Sequence, residues 1–310
     1  MTGTSATSGD GVRLRRAEPQ VGQPAGMLEI VLIELSGRHP LLRSELSVSS
    51  VDGDQLVLDA RRLRFAGPQE LTAIVALAST DARRGREVVL RMPEDEDVAS
   101  YLQRMDVIKL LRPIATIEGP LSSQSRVDCS TKLLEVTALT PANADRIAEN
   151  LGEMSRTRLG TRTARTAFRG IAELIDNAVT HGAGPSGAFV AAQAYSGLTS
   201  KRPGLEFAVC DTGVGILAHL RQNPSNSSIT DSETALRRAL IAGVTGTDQP
   251  RGYGLGDLLD ATRRGGVGRL VLRSGNAIAS VVVRQDRIVS CRTVAIPIEG
   301  AWAWLRVRVP

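Results

Sequence analysis

Glu173-Leu-Ile-Asp-Asn177, Asp211-Thr-Gly-Val-Gly215-Ile216 and Gly252-Tyr-Gly254-Leu-Gly256 are three short segments, each separated from the next by more than 30 residues. Read together they decide what this chain folds into. An α-helix advances about 100° per residue. With Glu173 at zero, Asp176, Asn177 and Thr180 fall within about 60° of it, while Ile171, Leu174, Ile175, Ala178 and Val179 occupy the opposite side. A solvated polar face gives the same pattern. The residue types argue for a site instead: surface helices carry long Lys, Arg and Glu, whereas this face is short, acidic and amidic and runs into His181-Gly182. An amide oxygen there can ligate Mg²⁺, and a carboxylate can orient a water or hydroxyl.

The second segment follows the apolar run 205–210, which reads as a buried strand ending at Asp211. An acid before Gly-x-Gly is often only a turn. Here the glycines permit close backbone approach, and a carboxylate can accept from an exocyclic amine such as that of adenine. The third segment precedes Leu255, Leu258, Leu259 and Ala261, so its glycines either cap a helix or form a phosphate site at its start.

In this order the segments resemble the N, G1 and G2 boxes of the GHKL superfamily, the Bergerat-fold ATPases, over roughly residues 140 to 310. The ending Asn177-Ala-Val-Thr-His181-Gly182 looks most like the SpoIIAB and RsbW anti-sigma serine kinases. That resemblance implies an α/β sandwich with a mixed sheet and helices on one face, and ATP and Mg²⁺ as cofactors. By the same resemblance Glu173 is the catalytic base, Asn177 the magnesium ligand and Asp211 the adenine acceptor. Gly213, Gly215 and Ile216 would line the base, and Gly252, Gly254, Leu255 and Gly256 the phosphates. One departure lies near the end, where the family often has Gly-Thr and this chain has Gly300-Ala301, which puts a water-mediated adenine contact in doubt.

Competing nucleotide signatures are absent from the sequence. No lysine (Lys109, Lys132, Lys201) follows a glycine, so there is no Walker A loop. The position three after Gly254 is Asp257, which breaks the dinucleotide fingerprint. The glycine loop of protein kinases comes without its His-Arg-Asp and Asp-Phe-Gly companions.

Upstream, the pattern is an apolar run at 28–35, a strand at 55–60, a helix at 68–84, a strand at 88–91 and a helix at 94–105. Alternation of this kind makes a small α/β domain. Pro68 and Gly85 bracket its first helix at start and stop positions. The module resembles a STAS domain, the fold of anti-sigma factor antagonists, from Leu56-Val-Leu-Asp59 through Phe65 to Leu71. It departs at the phosphoacceptor turn, which reads Ala66-Gly67-Pro68-Gln69 and has no hydroxyl. The resemblance then implies an interaction domain and not a phosphorylation target; an unrelated α/β domain is the alternative.

The expected organisation is a polar tail over 1–26, the STAS-like domain over 27–120, a Ser-rich linker over 121–140 and the ATPase domain over 141–310. Within the last, the breaker-rich run 217–251 reads as a lid, with Arg237 and Arg251 as candidate phosphate contacts. The chain of 310 residues is 42% hydrophobic with 3% aromatics, so the cores must be aliphatic. Its net charge of +5 is spread over scattered arginines, which argues against nucleic acid as a partner. No apolar leader or membrane-length run is seen, and a cytoplasmic location is expected. Cys129, Cys210 and Cys291 lack metal or disulfide spacing and read as reduced core residues; Cys210, beside Asp211, is the one candidate for a reactive thiol. His39, next to Pro40, does not suit a phosphoacceptor helix, which argues against a complete histidine kinase. The implied activity is ATP-dependent phosphorylation or control of a regulatory protein partner, with a non-catalytic ATP-gated switch and a slow ATPase as alternatives; a homodimer is compatible with each.

Overall fold

The computed structural model describes residues 27–31, 54–121, 129–180, 182, 184–197, 202–240, 267–282 and 290–309. The N-terminal module holds β1 (Met27–Val31), β2 (Gln55–Asp59), β3 (Glu87–Arg91) and β4 (Thr116–Glu118), in spatial order β1-β2-β3-β4. Every neighbouring pair is parallel. Parallel neighbours require a crossover, supplied by α1 (Pro68–Arg83) between β2 and β3 and by α2 (Glu96–Arg104) with α3 (Val107–Leu111) between β3 and β4. The expected helix at 94–105 is α2, a single helix over Glu96–Arg104; α3 follows it as a further short helix, with Asp106 at φ 60° between the two.

α1 begins at Pro68, where a missing N–H costs nothing, and the Gly67 amide donates to Glu70 Oε2 at 3.0 Å. It stops before Gly85, whose φ of +80° suits glycine. Between these signals the helix is buried on nearly every side, from Pro68 through Ala76. A helix buried all round needs two partners. One is the parallel sheet; the other is a second sheet later in the chain.

That second sheet contains β5 (Leu133–Leu139), β6 (Ala188–Tyr195), β7 (Gly204–Asp211), β8 (Val267–Val282) and β9 (Ser290–Arg308), in order β5-β6-β7-β9-β8. The pairings among these strands are all antiparallel, so the expected mixed sheet is corrected. Residues 133–139, read as linker from their polar surroundings, form the edge strand β5 because Leu133 and Val136 pack on the side of α1 and Leu134 and Leu139 on the opposite face. β8 is not one straight strand. Ser280 Oγ accepts from Arg269 Nε and Nη2 at 3.3 Å, whereas eleven extended residues would span about 36 Å, so the chain doubles back at Gly275.

α4 (Pro141–Leu159) and α5 (Thr161–Thr180) cover one face of this sheet through Ile147, Leu151, Ile171, Leu174, Val190 and Phe207. The opposite face carries Phe189, Ala191, Cys210 and Trp302, which share one apolar cluster with Leu71, Ile74 and Leu102 of the N-terminal module. The expectation of helices on one face is thus incomplete: α1 fills the other. Among the described residues no helix is long and apolar enough to cross a membrane.

Candidate functional site

α5 places its polar residues as the 100° repeat requires. Ile171, Leu174, Ile175 and Ala178 are buried, Glu173 and Asn177 are half-buried, and Asp176 and Thr180 are exposed. Asn177 Nδ2 donates to Glu173 Oε1 at 3.3 Å, one helical turn away. The charge order along α5 opposes the helix dipole. Arg165 and Arg169 lie in its first half and Glu173 and Asp176 near its C-terminal end, with no acid in the first turn and no base in the last. Glu173 and Asp176 stand just outside the last turn, so the dipole bears on them only weakly.

Asp211 ends β7, and all eight positions of that strand are buried. Its Oδ1 accepts from Gly213 N at 3.0 Å and Ala301 N at 3.1 Å, fixing the carboxylate to the following turn and to β9. Burial pushes its pKa up to about 7, although both amides act in the other direction. The N-terminal side of the site arrives through Gly182, whose amide closes the end of α5 on Asn177 O at 3.1 Å. A Cβ on Gly182 would stand 2.4 Å from Asp211 Cγ and 2.6 Å from its Oδ2. The two segments are therefore brought together at backbone distance.

Gly215 adopts φ +77°, and a Cβ there would lie 2.9 Å from Ser274 Oγ and 3.1 Å from Gly300 O. α6 (Gly215–Leu220) starts at this point. Ser274 accepts from Ile216 N at 2.9 Å and donates to Gly300 O at 2.8 Å, tying α6, β8 and β9 into one knot behind Asp211. Sequence reading did not single out Ser274, and it met Ala301 only as the place where the family's Gly-Thr is lost, not as a donor to Asp211. Ser274-Gly275-Asn276 has the composition of a tight turn, the one local signal available.

Gly252, Gly254, Leu255 and Gly256, with Arg251 and His39, lie outside the described residues. Arg237 pairs with Glu233 at 2.8 Å and donates to Cys291 O at 3.0 Å. The described part of the expected lid is α6, a short turn at Pro224–Asn226 and α7 (Ser232–Ala239), packed around Leu220, Ile229, Ala235 and Ala239. Its many breakers serve helix starts, since Asn223 and Asp231 accept amides of the turns that follow them. Cys210 faces away from Asp211, onto α1. Thr72 Oγ1 lies 3.3 Å from its sulfur and Gln69 Nε2 donates to it at 3.6 Å, while burial pushes the thiol well above its usual range, opposite to what a reactive thiolate needs. Among the described residues no three His, Cys, Asp or Glu side chains gather as a metal cage. Magnesium held by one or two protein ligands plus phosphates does not require one.

Comparison of the chain with protein-family models, with curated proteins and with solved structures returns no match.

Proposed function

We propose that the chain is an ATP-binding regulatory protein of the GHKL type, a Bergerat-like sandwich joined to a STAS-like module, and that it phosphorylates or controls a protein partner as anti-sigma serine kinases do. The carrying observation is Asp211: a buried carboxylate fixed through Oδ1 by the Gly213 and Ala301 amides, with Gly182 packed against it. Oδ2 is then the acceptor offered to the exocyclic amine of adenine, a contact that works best with the carboxylate ionised.

Glu173 and Asn177 fit the magnesium and phosphate end of the same nucleotide. Because Asn177 Nδ2 is given to Glu173, its Oδ1 is the atom turned to a cation. Magnesium bound there would neutralise phosphate charge. Glu173 takes the proton of the attacking hydroxyl, from a partner serine or from water, and its presence favours catalysis over a purely passive switch. The module's turn at Ala66–Gln69 is buried against the second sheet, which suits a fixed interaction domain and not a phosphate acceptor.

Titration calorimetry of the full chain with Mg-ATP tests the reading. Binding in the micromolar to millimolar range is expected, with labelled phosphate passing to a protein in cell extract. A folded chain that takes up no nucleotide at millimolar Mg-ATP would exclude it.

A further inference from the structure

α1 touches each of the three chain segments that surround Asp211. Near its N-terminal end, Gln69 and Thr72 meet Cys210, the residue before Asp211. At its C-terminal end Arg83 Nη1 donates to Pro185 O at 3.0 Å, in the loop whose Gly182 and Gly184 press on Asp211 and Thr212. Arg84 pairs with Glu299, two residues before the Ala301 amide that holds Asp211 Oδ1. A Cβ on Gly300, between those two, would stand 2.1 Å from Asp211 O, so this bend packs directly on the acid.

We infer that Arg83 and Arg84 are positioning residues for the base-binding end of the site, through which the N-terminal module sets the affinity of an adenine nucleotide; this rests on the nucleotide reading above. Both arginines are exposed and lie in the last turn or cap of α1, where a base is favoured by the dipole. Neither belongs to the core of the module. Arg84 also lies 4.0 Å from Asp81 within α1, but the Arg83 hydrogen bond and the closer Arg84 ion pair are made outside the module, to Pro185 and Glu299 on either side of Asp211, so a change in α1 is passed to both sides of the carboxylate.

The test uses the full chain with Arg83→Ala, Arg84→Ala and the charge reversal Arg84→Glu. Each single alanine should weaken Mg-ATP binding about two- to fivefold, the range of an exposed pair, and the double variant about tenfold, with the unfolding midpoint unchanged. Arg84→Glu, which sets a carboxylate beside both Asp81 and Glu299, should weaken binding more than Arg84→Ala, and Arg84→Lys, which keeps the charge, should keep most of the affinity. Independently of nucleotide, hydrogen exchange of the Gly213 and Ala301 amides should quicken in the alanine variants. If wild type binds no nucleotide, the functional reading fails and the exchange data alone decide whether the arginines position Asp211. Unchanged exchange at both amides, or unchanged affinity in the double variant of a nucleotide-binding chain, overturns the inference.

Discussion

Cys210 and Asp211 are consecutive residues of β7 that face opposite sides of one sheet. The Cys210 sulfur lies 3.3 Å from Thr72 Oγ1 of α1, while the Asp211 carboxylate accepts from Gly213 and Ala301 on the side of the candidate site. One peptide unit thus joins the N-terminal module to the site, because side chains alternate along a strand. Whatever displaces α1 is felt at Asp211.

Asp211→Asn keeps the shape and removes the charge. Its affinity for Mg-ATP should fall by about tenfold to 150-fold, the weight of a charge-assisted hydrogen bond of roughly 1.5 to 3 kcal/mol. Calorimetry on wild type and variant measures this. Equal affinities in two folded proteins would remove Asp211 from the site.

The same carboxyl makes stability depend on pH. Its folded pKa, raised by burial to about 7, exceeds the ordinary 3.8, so between those values the native state holds more protons than the unfolded chain. Its contribution to stability therefore declines as pH rises through about 4 to 7 and is flat above that. Urea unfolding of the chain without nucleotide should show this slope, and Asp211→Asn should remove it. Nucleotide affinity should run the other way, rising to about pH 7 and then levelling as the acceptor becomes fully ionised.

Glu173→Ala should separate binding from chemistry. A general base contributes about 10² to 10⁴ in rate and little to ground-state affinity, so the variant should bind Mg-ATP and lose turnover. A variant that turns over as fast as wild type would assign the proton transfer elsewhere.

Gly182→Ala introduces a methyl group 2.4 Å from Asp211 Cγ, closer than carbon atoms approach without displacement. Overpacking of this kind costs about 1 to 3 kcal/mol, and here the displaced group is the proposed base acceptor. Both the unfolding midpoint and nucleotide affinity should drop. Loss of stability alone would place Gly182 in the scaffold only.

Trp302 is 2% exposed, with Arg273 5.5 Å above its ring, and it lies in the cluster shared by both sheets. Trp302→Ala should cost about 3 to 5 kcal/mol and lower one unfolding transition common to the whole chain. Two separate transitions in calorimetry would mean that the two sheets are stabilised independently.

Local chemistry made several parts of this protein legible in its sequence. The two faces of α5 follow from the spacing of Ile171, Leu174, Ile175 and Ala178 against Glu173 and Asn177, and α1 is bounded by Pro68 and Gly85. The end of β7 at Asp211 follows from an apolar run meeting an acid and two glycines. The run itself held more than was read from it: an antiparallel strand buried at every position must be covered on both faces. What covers the second face was decided by tertiary structure, because α1 reaches β7 from about 140 residues away and no local period records that meeting. Ser274 meets Ile216 across 58 residues and Ala301 meets Asp211 across 90 for the same reason. Periodicity fixes which side of an element is apolar. Only the packing of one sheet, through α1, onto the other fixes which loops Arg83 and Arg84 hold and therefore how the environment of Asp211 is closed.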